Sequence, residues 1–304
     1  MVISAPELPS ADFLRILEQS YRGILVAEPE GLCWEQESRR WGIPLQRHDG
    51  VLQLVHPEQA WDADRLAADS GFSAEQVAIW PLCDSSNTRL LAQPALRLGL
   101  AEAQWAGHGR HGRFWHSAFG RHLAASFALE IDPSYATVLP LVAALGIYTV
   151  LRERLPELWV KWPNDLWIGQ RKVAGLLLEG RHGPAGQRWV LGFGVNVQTD
   201  PGLPATAISL AEAGCQITRH ELLLAILAQW RQDLPLLQQG GLAPFRRRWE
   251  EADRLRGRWV ELCSDYNNAI WQVEDVEDDG RLRLVDGQRN LCIHAGQLRL
   301  RPLT

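Results

Sequence analysis

Three zones of different texture along the chain predict an α+β protein. Residues 1–62 read as helix, helix and hairpin, residues 63–254 as apolar strands alternating with glycine loops and helices, and residues 255–304 as short alternating strands. With 304 residues, 46% of them hydrophobic, the chain has the apolar material for a sizeable core. Its formal net charge of −5 argues against a surface built mainly to bind nucleic acid or anionic lipid, while leaving room for a local basic site.

In the first zone ADFLRILEQSY (11–21) sets Phe13, Leu14, Ile16, Leu17 and Tyr21 at helical spacing behind Ser10, whose hydroxyl suits an N-cap. CWEQESRRWG (33–42) predicts a second short helix. In GIPLQRHDGVLQLV two alternating runs meet at Asp49-Gly50, a strong signal for a β-hairpin. Helix, helix and hairpin outline a winged helix, but a degenerate one. Between FLRILEQSY and ESRRWG stands only RGILVAEPEGLCWEQ, with Pro29 and Gly31 inside it, too short for both helices of a helix-turn-helix. Residues 1–60 also hold five arginines, no lysine and nine acids, the wrong sign for phosphate contacts.

The second zone opens at VAIWPLC (77–83). Its most apolar run, YATVLPLVAALGIYTVL (135–151), carries Pro140, Gly146 and two threonines and is shorter than the roughly 18 apolar residues of a spanning helix, so it reads as a buried core helix. ELLLAILAQWRQDLPLLQQG (221–240) is an amphipathic helix closed by Gly240-Gly241. In the third zone RWVELCS, AIWQVEDVEDDGRLRLV, LCIHAG and QLRLRP, punctuated by Asp279-Gly280 and Asp286-Gly287, predict a small β barrel. The acidic cluster Glu274, Asp275, Glu277, Asp278 and Asp279 lacks calcium-loop spacing and reads as a solvated turn. Cys33, Cys83, Cys215, Cys263 and Cys292 are odd in number and scattered, which suits reduced buried thiols better than a disulfide frame or a zinc site. MVISAPELPSADF has no basic region followed by an apolar one, so a cytoplasmic setting is expected, with no membrane segment.

AGHGRHGRFWHS (106–117) contains G-x-G-x-x-G at Gly107, Gly109 and Gly112. A dinucleotide turn needs a long helix directly after its glycines, and FWHSAFGRHLAASFALEI offers none. His108, His111, His116 and His122 match no regular zinc spacing, and no cysteine or carboxylate intervenes, so no metal site is expected. RNA-binding arginine-glycine tracts are longer and repeated. A glycine loop whose amides, with Arg110 and Arg113, close over an anion is the remaining functional reading, beside a plain surface loop.

WVKWPNDLWIGQRKVAGLLLEG (159–180) sharpens the choice, because Lys161 and Lys172 lie in apolar strands, where an ammonium group is costly without an anion. Asp165 can answer one of them and a substrate the other, unless both belong to an internal ion pair. In VLGFGVNV, Gly192, Gly194 and Asn196 sit in a strand whose bare positions admit close approach to the backbone.

Taken together, CDSSNTRLL, AQWAGHGRHGRFWHSAFG, KWPNDLWIGQRKVAGLLLE and GFGVNV, in this order and spacing, resemble the bacterial biotin–protein ligases. The likeness runs from about residue 78 to the end, including GLAPFRRRWEEAD, and the K-W-P-N-D and R-K-x-A-G-x-L pair is specific, since lipoate and octanoyl transferases share the fold without it. The resemblance implies a catalytic domain similar to class II aminoacyl-tRNA synthetases, with a mixed sheet, and a C-terminal SH3-like barrel. It implies activation of biotin by MgATP to biotinyl-5′-AMP, then transfer to a lysine of the biotin carboxyl carrier protein of acetyl-CoA carboxylase. Some members also repress biotin synthesis as DNA-binding proteins, and some dimerise through the central sheet.

Carried over by position, the resemblance assigns Ser85, Ser86, Asn87 and Gln104 to the biotin pocket and its ureido ring, and His108, Gly109 and Arg110 to the loop over the ligand. Lys172 touches both the biotin carboxylate and the phosphate. Trp115, Asn164, Asp165 and Asn196 fall to the adenylate, with Arg113 near the phosphates, while Gly175, Leu177 and Gly194 complete the walls. The physical need is plain. Two unit anions about 4 Å apart at an effective dielectric near 20 repel by about 4 kcal/mol, roughly a thousandfold in rate, which Lys172, Arg110 and Arg113, with magnesium on the triphosphate, can offset.

Two departures stand out. His108 replaces an arginine of the family's G-R-G-R-x-G-R loop and makes that position titratable, though Arg110 and Arg113 remain. The N-terminal zone lacks a complete recognition helix, so DNA binding is not expected.

Overall fold

The computed structural model describes residues 8–22, 26–27, 34–55, 60–183, 186–263, 268–287, 289–295 and 299–302. Helix α1 (Ala11–Tyr21) starts at the expected cap, the Ser10 hydroxyl accepting from the Phe13 amide at 3.2 Å. Strand β1 (Val26–Ala27), helix α2 (Trp34–Trp41), and strands β2 (Leu45–His48) and β3 (Val51–Leu54) follow, paired in the order β1-β3-β2. The hairpin turns where its dipeptide demands, with φ 49° at Asp49 and 76° at Gly50. Pro29, Gly31 and Cys33 lie outside the described residues.

This unit does not stand apart. Phe13, Ile16 and Leu17 share a core with Leu82 and Ala103. Below it the fully buried Glu102 accepts from the Tyr21 hydroxyl at 2.6 Å, the Trp61 amide at 2.8 Å and Arg219 Nη1 at 2.5 Å. Burial, and then the Glu102 charge, push the Tyr21 phenol far above its ordinary range.

After α3 (Ala63–Ser70) comes a seven-stranded mixed sheet, built from β4 (Val77–Trp80), β5 (Leu98–Ala101), β6 (Leu123–Leu129), β7 (Leu158–Lys161), β8 (Asp165–Ile168), β9 (Arg171–Gly183) and β10 (Gly186–Val195). Its order is β4-β5-β6-β10-β9-β8-β7, with β4 and β5 parallel and the other neighbours antiparallel. Helix α4 (Ser86–Ala92) lies between β4 and β5 in sequence, α5 (Leu139–Leu151) between β6 and β7, and α6 (Arg219–Gly240) after the sheet. Strand alternation sorts the faces. Leu123, Ala125, Leu129, Leu191 and Phe193 enter the main core with α5 and α6, while Ala128 and Val190 pack on Leu90 of α4 across the sheet. The α5 run is buried as expected, and no helix among the described residues is long and apolar enough to cross a membrane.

Helix α7 (Arg246–Ala252) leads to a C-terminal antiparallel sheet of β11 (Trp259–Cys263), β12 (Asn268–Val276), β13 (Leu282–Asp286), β14 (Arg289–Ile293) and β15 (Arg299–Pro302), in the order β14-β13-β12-β11-β15. No pairing between β14 and β15 closes it among the described residues.

Two expectations need correction. The acidic hairpin is not simply a solvated turn: Arg246 pairs with Asp278 at 2.7 Å and Asp275 at 3.5 Å, and the Gly280 carbonyl accepts from Trp162 Nε1 at 2.9 Å. Its charge is answered by an arginine from α7, so the hairpin docks on the central unit. Cys83 and Cys215 are buried free thiols as expected, but Cys292 is exposed because on β14 it alternates with the half-buried Leu291 and the buried Ile293 and so takes the solvent face.

Candidate active site

The floor of a cavity of about 910 Å³ is laid by sheet register on the face away from α5. Ser126, Gly192 and Leu177 form one cross-strand row, and Ala124, Gly194 and Gly175 the next, which Asp165 extends on β8. Small residues hold this floor low. A Cβ on Gly194 would enter the indole of Trp115, and one on Gly192 the amide of Asn87, so these bare positions are filled by two site side chains.

One end of the cavity is polar and neutral. Ser86 and Asn87 begin α4, and the Ser126 hydroxyl donates to Asn87 Oδ1 at 2.6 Å and can accept from the Ser86 hydroxyl at 2.8 Å. Asn87 Nδ2 donates to Glu179 at 2.8 Å, and the Ser86 amide donates to Gln104 Oε1 at 2.7 Å. Ser86, Asn87 and Ser126 are buried and fixed by one another, with the half-buried Gln104 and the buried Ser85 beside them, which preorganises this end for a compact polar ring.

The other end is cationic. Lys172 Nζ donates to Asp165 Oδ1 at 2.7 Å and stands 5.4 Å from the Trp115 ring centre. Lys161 Nζ lies 4.5 Å from the Trp167 ring centre. Arg110 Nη1 donates to Asn164 Oδ1 at 3.4 Å, while Asn164 Nδ2 donates to the Leu176 carbonyl. Asn196 Nδ2 donates to the Ile208 carbonyl at 3.2 Å. Burial holds Lys161 and Arg110 below their ordinary ranges, with Asp165 working the other way in each case. Among the described lining residues Asp165 is the one carboxylate, set against Lys161, Lys172, Arg110 and Arg113. The arrangement suits a polyanion.

The glycine loop folds back on itself between these ends. His108 bridges Phe114, the Trp115 amide donates to the Gly107 carbonyl at 2.8 Å and the Gly109 amide to the Arg113 carbonyl at 2.7 Å. A single turn spans Arg110–Gly112, with His111 at φ 59° and Gly112 at 67°, and no long helix follows, so the dinucleotide reading fails. The side chain of His108 reaches the Ala106 carbonyl at 3.1 Å through Nδ1 and Glu179 at 3.4 Å through Nε2.

Every residue proposed from sequence lines this one cavity: Ser85, Ser86, Asn87, Gln104, His108, Gly109, Arg110, Arg113, Trp115, Asn164, Asp165, Lys172, Gly175, Leu177, Gly194 and Asn196. Of the two strand lysines, Lys172 takes Asp165, and Lys161 faces the cavity as a further cation left out of the proposed set. Sequence reasoning also missed Gly202, Leu203, Pro204, Thr206 and Ala207, whose segment reaches the rim after β10. Only the turn-forming Pro201-Gly202 marks it in the sequence. The carboxylate judged absent near the histidines arrives from the same segment, since Asp200 Oδ2 meets His116 Nε2 at 2.7 Å and His122 Nε2 at 2.9 Å.

Fold and cavity define a class, the protein ligases that condense a carboxylate with a nucleotide, and comparison with known proteins agrees. Residues 81–196 match the biotin/lipoate A/B protein ligase family. The chain is 38% identical over 265 residues to the bifunctional ligase/repressor BirA of Salmonella typhimurium, covering 82% of this chain and 81% of that protein. It is 34% identical to the biotin–[acetyl-CoA-carboxylase] ligase of Paracoccus denitrificans, over 61% of this chain and 82% of that one. The biotin protein ligase of Aquifex aeolicus, solved with biotin and ATP, superposes with a TM-score of 0.66 at 25% identity, over 75% of this chain and all of that one. The chain belongs to the biotin–protein ligase family.

Proposed function

We infer that the cavity activates biotin with ATP and passes it to a carrier lysine, the activity of a biotin–[acetyl-CoA-carboxylase] ligase. In the first step a biotin carboxylate oxygen bonds to the α-phosphorus, and the bond to the bridging oxygen breaks with its electron pair, releasing pyrophosphate. In the second the neutral amine of the carrier lysine attacks the acyl carbon of biotinyl-5′-AMP. AMP leaves, and the amine's proton passes to solvent.

The observation that carries this reading is the shared cavity, with Lys172 and Arg110 at one end and the Ser86, Asn87 and Gln104 network at the other. Ser85, Ser86, Asn87 and Gln104 hold the ureido ring, with Gly175, Leu177 and Gly194 as walls. Lys172, Arg110 and Arg113 offset the approach of carboxylate to phosphate. Trp115, Asn164, Asp165 and Asn196 position the nucleotide. His108 and Gly109 carry the loop that shields the mixed anhydride from water. Magnesium would come in on the triphosphate and offset phosphate charge there; Asp165, the one carboxylate among the described lining residues, would be the protein oxygen nearest to hand, and it is paired here with Lys172.

The remaining assignments follow from the same reading. Residues 63–254 form the catalytic domain, similar to class II aminoacyl-tRNA synthetases, and residues 255–304 an SH3-like barrel. Residues 1–62 form a degenerate winged helix that does not read DNA, which its excess of acids supports. The carrier is the carboxyl carrier protein of acetyl-CoA carboxylase, and the setting is cytoplasmic. Protein, biotin, MgATP and a carboxyl carrier domain, mixed and weighed by mass spectrometry, test the reading. One biotin on one carrier lysine is expected, and an unmodified yet competent carrier beside folded enzyme overturns it.

A further inference from the structure

We propose that His116, His122 and Asp200 form a binding site for one divalent transition-metal ion, zinc being the ion its donors suit. The three side chains come from separate places: His116 beside Trp115 at the end of the glycine loop, His122 just before β6, and Asp200 in the segment after β10. Their ligand atoms nevertheless lie within 4.8 Å of one another. Both imidazole Nε2 atoms point at the same oxygen, Asp200 Oδ2, at 2.7 and 2.9 Å. Donors around a tetrahedral zinc at about 2.0–2.1 Å stand roughly 3.4 Å apart. Three metal bonds would replace the two shared hydrogen bonds if both contacts on Asp200 lengthened by about half an ångström and the imidazole nitrogens, within 4.8 Å of each other, settled at the same spacing.

The surroundings suit the ion. His122 is fully buried and Asp200 6% exposed, while His116 is 31% exposed, so the cluster has two rigid ligands and one open side through which an ion and a fourth ligand can enter. The Gly202 amide donates to Asp200 Oδ1 at 2.8 Å, orienting the carboxylate and leaving Oδ2 for the metal. Among the described residues no hydrogen-bond partner of His122 Nδ1 locks its tautomer, so the proton can sit there while Nε2 offers its lone pair. Two nitrogens and one oxygen favour zinc over magnesium or calcium, which prefer all-oxygen shells, so the site is distinct from that of the ion on ATP. His116, Gly202 and Leu203 all line the cavity, and the ion would clamp the end of the glycine loop to the segment after β10.

The test uses the full chain, stripped with chelator and free of biotin and nucleotide. Cobalt(II) titration is expected to give one equivalent with the visible bands of a tetrahedral site, and zinc in competition with a chromophoric chelator is expected to displace it. His116→Phe and Asp200→Asn, checked for folding by circular dichroism, should each weaken zinc binding by about 100-fold or more. Zinc should raise the unfolding temperature of the parent protein and not of the variants. Absence of a tetrahedral cobalt spectrum, or zinc affinity unchanged in both variants, overturns the proposal and leaves a hydrogen-bonded cluster.

Discussion

Asp165 and Lys172, seven residues apart, meet at 2.7 Å across the β8–β9 hairpin, on the rim of a cavity that also holds Arg110. The carboxylate aims the ammonium group without removing it from the cavity. Replacing Lys172 with Ala is expected to slow biotin-dependent ATP–pyrophosphate exchange about a thousandfold, because the loss of about 4 kcal/mol of charge compensation falls on the step that brings two anions together. Exchange within tenfold of the parent would remove Lys172 from the chemistry.

Gly194 lies beneath the Trp115 indole, where a Cβ would enter the ring. Gly194→Ala should therefore displace Trp115 and weaken nucleotide binding by roughly 5- to 150-fold, the equivalent of about 1–3 kcal/mol of overpacking. Isothermal titration with ATP measures it. Equal affinity in the two proteins would mean that Trp115 does not contact the nucleotide.

Lys161 predicts a pH dependence whose sign is fixed by its burial, which lowers the ammonium pKa against the pull of Asp165. Between the lowered native value and the ordinary 10.5, the unfolded chain binds the proton and the native chain does not, so this group's contribution to stability rises with pH. Activity moves oppositely: as the cation is lost, the KM for ATP should climb on the alkaline side, beginning below the ordinary lysine range. In Lys161→Arg that limb should shift to higher pH, since guanidinium does not titrate there. A limb unmoved by the substitution assigns it to another group.

Glu102 is expected to be the most sensitive joint between the N-terminal unit and the rest. Changing it to Gln keeps the shape but removes the charge that faces Arg219 in a fully buried place. The cost should be about 3–5 kcal/mol in urea unfolding. A loss below about 1 kcal/mol would show that solvent or another group compensates the guanidinium.

Local chemistry was legible before any coordinates. The Ser10 cap, the Asp49-Gly50 turn and the end of α6 before Gly241 each depend on residues within one turn of chain, and all fall where the sequence places them. The cavity was legible through its motifs, because K-W-P-N-D and R-K-x-A-G-x-L put Asp165 and Lys172 on adjoining strands of a hairpin. Lys161 escaped assignment because an apolar strand conceals which face a residue takes. The acidic hairpin was misread because Arg246, its partner, stands 32 residues from Asp278.

What the sequence by itself determined is the identity of the groups and every contact made within a turn or hairpin, since those depend on backbone preference and short spacing alone. Tertiary structure decided which distant groups meet: Asp200 and His116, 84 residues apart, and Tyr21 and Glu102, 81 apart. No local pattern encodes such meetings. They arise when the sheet packs on α5 and α6 and carries the segment after β10 against the glycine loop, a result of burying apolar surface across the whole domain.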